Sequence, residues 1–227
     1  MGLISYIDNP QIFIILVISL VFSLCLHEFS HAIVAYYCGD DTAANEGRLT
    51  LNPLAHLDPY GSMFLLLIGF GWAKPVPVNP YKLRNIKVDT MKIAFAGPAS
   101  NILLALIACA VLNYTNGIEI IREGRIFFNP STIPMYISFS LYIFSSINIV
   151  LAVFNMLPIA PLDGSQIFGS LIQDKNPQLA FTLRTKGPSI LMIIVLFGII
   201  TGYSLFSVII SPIAKLFFTY VAGIQML

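Results

Sequence analysis

Residues 10–38 read PQIFIILVISLVFSLCLHEFSHAIVAYYC. Asn9 and Pro10 make a helix start, with Asn9 as N-cap and Pro10 at the first helical position, where a missing amide proton leaves no partner wanting. Gly39 is a natural stop. At roughly 1.5 Å per residue the helix is about 43 Å long, enough to cross a bilayer and protrude. His27-Glu28-Phe29-Ser30-His31 sits two-thirds of the way along, inside otherwise apolar sequence. A segment that carries two histidines and a glutamate into hydrocarbon decides both the fold and the place to look for chemistry.

On a helix His27 and His31 stand one turn apart on the same face, so both imidazoles can reach one zinc ion. Glu28 is offset by about 100° and borders that face. Its position suits it to take a proton from a water activated by the metal rather than to ligate the metal. As a bare pattern the motif is weak, and the setting sharpens it. A charge at the centre of a spanning helix costs roughly 2.5–3.5 kcal/mol on insertion scales, so Glu28 needs a compensating partner, and a zinc site with water access is one. The competing reading is a helix-packing cluster in which Glu28 is protonated and bonded to a neighbour.

The rest of the chain agrees with a membrane solvent. Of its 227 residues 57% are hydrophobic and 10% charged, against about 25% charged in a soluble domain, and mean hydropathy is +0.83. A net charge of +1 without a basic cluster gives no support for nucleic-acid binding. Cys25, Cys38 and Cys109 fit neither a CxxC metal site nor a disulfide framework. No Lys or Arg precedes Arg48, so the positive region of a cleavable signal is missing and the first apolar segment is expected to stay.

Further spans are expected at about 91–113, 134–157 and 188–210, with a shorter apolar tail at 213–222. Residues 62–70 are apolar but too short to cross as a helix, and Pro75 and Pro77 demand extended backbone after them. Residues 48–80 are therefore read as a re-entrant or β element, tolerable at membrane depth where protein or a water-filled cavity satisfies its backbone. With the first helix running inwards and 48–80 not crossing, Arg48, Lys74, Lys82, Arg84, Lys87, Lys92, Lys175, Arg184 and Lys186 face the cytoplasm. Arg122, Arg125 and Lys215 face outwards. That asymmetry satisfies the positive-inside rule. The fold class expected is an all-α polytopic membrane protein with four main spans and a short re-entrant or β element between the first two. It forms one membrane-embedded domain over 1–227, with its core at 10–170 and a C-terminal span and tail at 188–227.

A catalytic zinc takes a third protein ligand and keeps a position open for water. His56 and Asp163 are the candidates. Asp163 lies in Asn155-Met156-Leu157-Pro158-Ile159-Ala160-Pro161-Leu162-Asp163-Gly164 at the end of the third span. Its two prolines and Gly164 should unwind the helix and let a carboxylate swing to the depth of His31. Two neutral histidines and one carboxylate leave a +1 centre, a charge balance suited to a low dielectric.

HEFSH, LNPLAHLDPYGS at 51–62, GWAKPVPVNP at 71–80, FAGPASN at 95–101 and NMLPIAPLDGS at 155–165 occur in this order. Together they resemble the site-2 protease family of intramembrane zinc metalloproteases, over about residues 15–170. The resemblance implies that His27, His31 and Asp163 bind one zinc ion per chain and that Glu28 is the catalytic base. It also implies that Asn155 helps to hold the substrate carbonyl or oxyanion, that Gly97-Pro98 permits close packing beside the site, and that the 48–80 region binds substrate by strand addition. Substrates would be transmembrane segments of membrane proteins, cleaved within the bilayer as in regulated intramembrane proteolysis. The loop at 114–133 is too short for a PDZ domain, and no soluble domain is expected after the last span. Substrate filtering is then either absent or supplied by a regulatory membrane partner. The expected setting is a prokaryotic plasma membrane, the active site towards the cytoplasmic side. A metal transporter would want ionisable residues along several spans, whereas here they cluster at one depth.

Overall fold

In a computed structural model, residues 2–122, 125–131 and 134–220 are described. Helix α1 spans Pro10–Tyr37 and closes at Cys38, and Gly39 then turns the chain with φ 106°. Asn9 takes the N-cap position, although its side chain makes no capping bond. A short turn of helix, α2, covers Thr42–Asn45, and α3 covers Pro59–Ile68. Helix α4, Ile86–Tyr114, starts on an Asn85 cap whose side chain accepts the Val88 amide. Strands β1, Ile118–Arg122, and β2, Arg125–Phe128, pair antiparallel. Helix α5 spans Met135–Asn155, α6 Asp163–Ile172, α7 Pro177–Thr201 and α8 Leu205–Tyr220.

Four helices, α1, α4, α5 and α7, are long and apolar enough to cross a membrane. Helix α4 is the hub, packed against α1, α5 and α6. The packed faces are built of small residues: Ala32, Ala35, Ala94, Ala105, Ala108, Ala152, Ser23 and Ser145 are all buried. The bulky residues Ile14, Ile18 and Phe22 look outwards from α1 at intervals of four. This is the membrane arrangement, in which helices gain nothing by hiding large apolar groups from lipid and instead gain contact by close approach.

The last span differs from the expectation of 188–210. Asn176 accepts the Leu179 amide and Pro177 opens α7 eleven residues earlier, while Gly202 closes it at φ 75°. Pro188 lies inside the helix; it removes one backbone hydrogen bond, which a membrane helix tolerates when neighbours pack around it. Gly187 beside it lies so close to Ala160 that a Cβ there would be 2.6 Å from the Ala160 nitrogen, and this pins α7 to the 156–162 connection. Of the tail expected at 213–222, residues 213–220 belong to α8 and the last two lie outside the described residues. The β1–β2 pair occupies the segment read from sequence as a plain loop.

The expected re-entrant element between the first two spans takes a mainly helical form. Ten-residue α3 is about 15 Å long, half of a bilayer core, and Gly69, at φ 82°, caps it. The chain then folds back upon it: a Cβ on Gly71 would lie 2.2 Å from the Gly61 oxygen, and one on Gly61 would lie 2.1 Å from that of Trp72. The β character is a single antiparallel bridge, Leu57 to Ala73.

Beyond it, residues 74–79 run extended past α1. Arg48 donates to the oxygens of Lys74 (2.6 Å) and Pro75 (3.3 Å), the Val76 amide donates to Glu28 Oε2 (3.2 Å), and the Asn79 amide donates to Asp40 Oδ2 (2.6 Å). Side chains thus satisfy backbone that no sheet pairs, as membrane depth requires. Arg48 is 5% exposed, so Arg48→Met leaves two carbonyls without their donor. The expected cost is about 1–3 kcal/mol per buried group, read as a lower thermal midpoint in detergent and faster proteolysis within 70–80. An unchanged midpoint would show that this stretch is held without it.

Candidate metal centre

His27 and His31 project from one face of α1, and their rings meet edge to face with centroids 4.7 Å apart. Asp163 reaches them as the first residue of α6, after the chain leaves helix between Asn155 and Leu162. His27 Nε2 and His31 Nε2 are 3.1 Å apart, and Asp163 Oδ2 stands 3.2 Å from the first and 3.4 Å from the second. These three atoms form a nearly equilateral triangle. Ligands at about 2.0–2.1 Å from one tetrahedral zinc would be separated by roughly 3.3–3.4 Å, so the triangle has the dimensions of one face of that tetrahedron.

The outer ring atoms show which way the lone pairs point. His31 Nδ1 donates to the Ile93 oxygen (2.7 Å), and His27 Nδ1 donates to Asn101 Oδ1 (2.6 Å). With both protons spent outwards, both Nε2 lone pairs converge on Asp163 Oδ2, which is buried and finds no hydrogen-bond partner. Three acceptors brought together without a donor repel one another unless a cation lies between them. The donor set, two imidazoles and a carboxylate, suits zinc, and among the described residues His27, His31 and Asp163 form a group that could hold a metal ion.

Gly97 forms the wall opposite. A Cβ on it would fall 2.4 Å from His31 Nε2 and 2.6 Å from His27 Nε2. The glycine of FAGPASN therefore does more than let helices pack: it leaves the space beside the Nε2 atoms of both histidines. Pro98, next along α4, is fully buried.

Glu28 is 8% exposed, and its carboxylate receives the Val76 amide of the extended stretch. Asn155, the last residue of α5, donates from Nδ2 to the Leu151 oxygen of its own helix (3.1 Å). His56 stands apart from the three donors; its Nε2 bonds the Thr50 oxygen at 2.8 Å and its own carbonyl receives the Lys74 amide. It braces the 50–57 loop, while Asp163 joins the histidines.

The sequence reading missed Asn101 and Asn148. Asn101 Nδ2 donates to Asn148 Oδ1 (2.8 Å), and both side chains are fully buried between α1, α4 and α5. Their signal was available: an asparagine inside a spanning helix is a functional candidate by default.

In comparison with known proteins, the profile of peptidase family M50 matches residues 125–199. YwhC of Bacillus subtilis is 43% identical over 159 residues, which cover 69% of this chain and 68% of YwhC. Rip2 of Mycolicibacterium smegmatis is 31% identical over 182 residues, 78% of this chain and 62% of Rip2. MJ0611 of Methanocaldococcus jannaschii is 30% identical over 156 residues, 69% of this chain and 70% of MJ0611. All three carry zinc-metalloprotease names. No solved structure matches the chain.

Proposed function

The chain belongs to peptidase family M50, the site-2 proteases, and from that premise we propose that it is a zinc endopeptidase cleaving transmembrane segments of membrane proteins within the bilayer. The observation that carries the proposal is the triangle of His27, His31 and Asp163 donor atoms, 3.1–3.4 Å on a side, on a helix able to span a membrane. Zinc, when held there, supplies a Lewis acid that polarises a carbonyl and acidifies water.

The chain's own residues do the rest. Glu28, one residue from His27, takes a proton from the attacking water as its oxygen bonds to the substrate carbonyl carbon. It returns a proton to the departing amine when the C–N bond breaks. Asn155 keeps one amide proton on Leu151 and has a second for the substrate's carbonyl oxygen as negative charge develops there. A peptide bond inside a helix is shielded, so the substrate must be extended to react, and the neighbouring stretch 74–79 is already extended.

On this reading the centre lies towards the cytoplasmic side of a prokaryotic plasma membrane. The lysine and arginine asymmetry supports that orientation, and the named relatives come from bacteria and an archaeon. Lipid and the substrate segment are its partners, with a regulatory membrane protein to choose among substrates.

The test is zinc content of the purified protein beside Asp163→Ala. About one zinc per chain in the wild type is expected, with strong loss in the variant, because two neutral histidines alone make a poor zinc site. Loss of cleavage of a membrane-inserted model peptide in liposomes should accompany it. Zinc retained in full by the variant would remove Asp163 from the ligand set, and a wild type that takes up no zinc would end the metalloprotease reading.

A further inference from the structure

Behind the metal-binding histidines a chain of buried amides crosses three helices, and its polarity is fixed from its far end. Asn148 Nδ2 donates to the Phe144 oxygen (2.8 Å) and to Ser23 Oγ (2.8 Å). The Phe144 oxygen is a carbonyl and can only accept. Ser23 Oγ spends its own proton on the Ser19 oxygen (2.7 Å), another carbonyl. Asn148 can therefore face these two groups only with its NH2, which turns its Oδ1 towards Asn101. That oxygen accepts from Asn101 Nδ2 at 2.8 Å, and the Ser23 carbonyl lies 3.5 Å from the same nitrogen. Asn101 in turn can present only its oxygen to His27 Nδ1, 2.6 Å away.

We propose that Asn101 and Asn148 are positioning residues that set the tautomer of His27. They hold its proton on Nδ1 and keep Nε2 bare for the metal, with the direction dictated by the carbonyls of Phe144 and Ser19. The need is specific to this site. Asp163 Oδ2 lies 3.2 Å from His27 Nε2, within reach of an Nε2–H donor. In the zinc-free protein the opposite tautomer would gain a hydrogen bond to Asp163 and block two ligands at once. The relay makes that outcome costly by leaving Asn101 Oδ1 facing a bare nitrogen. Asn101, Asn148 and Ser23 are all fully buried, where an unmatched polar pair has no water to turn to.

The inference rests on the zinc reading of the site, yet its decisive readout does not. Ring nitrogen chemical shifts of His27 in zinc-free protein, labelled with 15N histidine, report the tautomer directly. Zinc affinity by chelator competition reports its consequence. In the wild type the proton should reside on Nδ1. Asn101→Leu should move it to Nε2 and weaken zinc binding by about 10–100-fold, the usual range for a lost outer-shell partner. Asn101→Asp keeps an acceptor towards His27 and, with its second oxygen protonated in this buried setting, still donates to Asn148 Oδ1, so it should restore both the tautomer and most of the affinity. Asn148→Leu removes what orients Asn101 and should give a mixture of tautomers with an intermediate loss.

A wild-type tautomer in both leucine variants would overturn the proposal. So would an aspartate variant as weak as the leucine one, since that pattern would mean packing rather than proton placement. Helical content by circular dichroism separates misfolding from both. Failure of the wild type to bind zinc would count against the metalloprotease reading alone, because the zinc-free tautomer still reads the relay.

Discussion

Glu28→Gln should reduce cleavage by at least about 10²–10⁴-fold, the range supplied by a positioned acid–base group, while zinc content stays at its wild-type level. The substitution is close to isosteric, and its amide oxygen still accepts the Val76 amide that the carboxylate holds at 3.2 Å. The extended stretch therefore stays in place, and what disappears is the capacity to move a proton. Zinc measurement and a liposome cleavage assay on one preparation separate this from a binding defect. Cleavage retained by Glu28→Gln would remove Glu28 as the base and shift that role to another group near the centre.

Gly97→Ala should abolish zinc binding altogether, a larger effect than a single methyl group ordinarily has. That methyl would lie 2.4–2.6 Å from both ligating nitrogens and from His27 Cε1, distances that real side chains do not adopt. The rings have no room to retreat, since their outer nitrogens are tied to Ile93 and Asn101. Either α1 and α4 separate or the histidines rotate off the site, and in both cases the triangle opens. Gly169→Ala, within α6, is the matched control: nothing lies within 4 Å of its added methyl, and an alanine there should raise stability by about 0.5–1 kcal/mol. Both variants should be read by zinc content and thermal midpoint together. Wild-type zinc in Gly97→Ala would mean that the two helices stand further apart in the membrane than described here.

The motif helix was legible because its signals are local. Asn9, Pro10 and Gly39 mark its ends, and two histidines at i and i+4 need only helical geometry to meet. Asp163 was legible in part: prolines and a glycine at the end of a span mark a place where backbone leaves helix, which kept it beside His56 as a candidate, and the family resemblance singled it out. The amide relay was not read because it depends on which faces of α1, α4 and α5 turn towards one another, which no single segment reveals. The helical form of 59–68 was obscured by its shortness, since a short apolar run reads equally as a strand or a helix. The early start of α7 was hidden behind Arg184, Lys186 and Pro188, which look like loop chemistry but sit in one helix whose Gly187 packs on Ala160.

The order of the chain has a consequence for how the protein is made. His27 and His31 lie on α1, which leaves the ribosome before the segments that carry Asn101 and Asp163. About 130 residues separate His31 from Asp163, so at roughly 5–20 residues per second the motif waits on the order of 7–26 seconds for its third donor. During that interval Val76, Ile93 and Asn101 emerge and can engage Glu28, His31 and His27, but the two imidazoles still lack the carboxylate. Metal captured then would be held by two ligands and lost readily. Loading therefore belongs to the end of biosynthesis, after α6 has docked, and any factor that delays that docking keeps the nascent enzyme inactive in the membrane where its substrates reside.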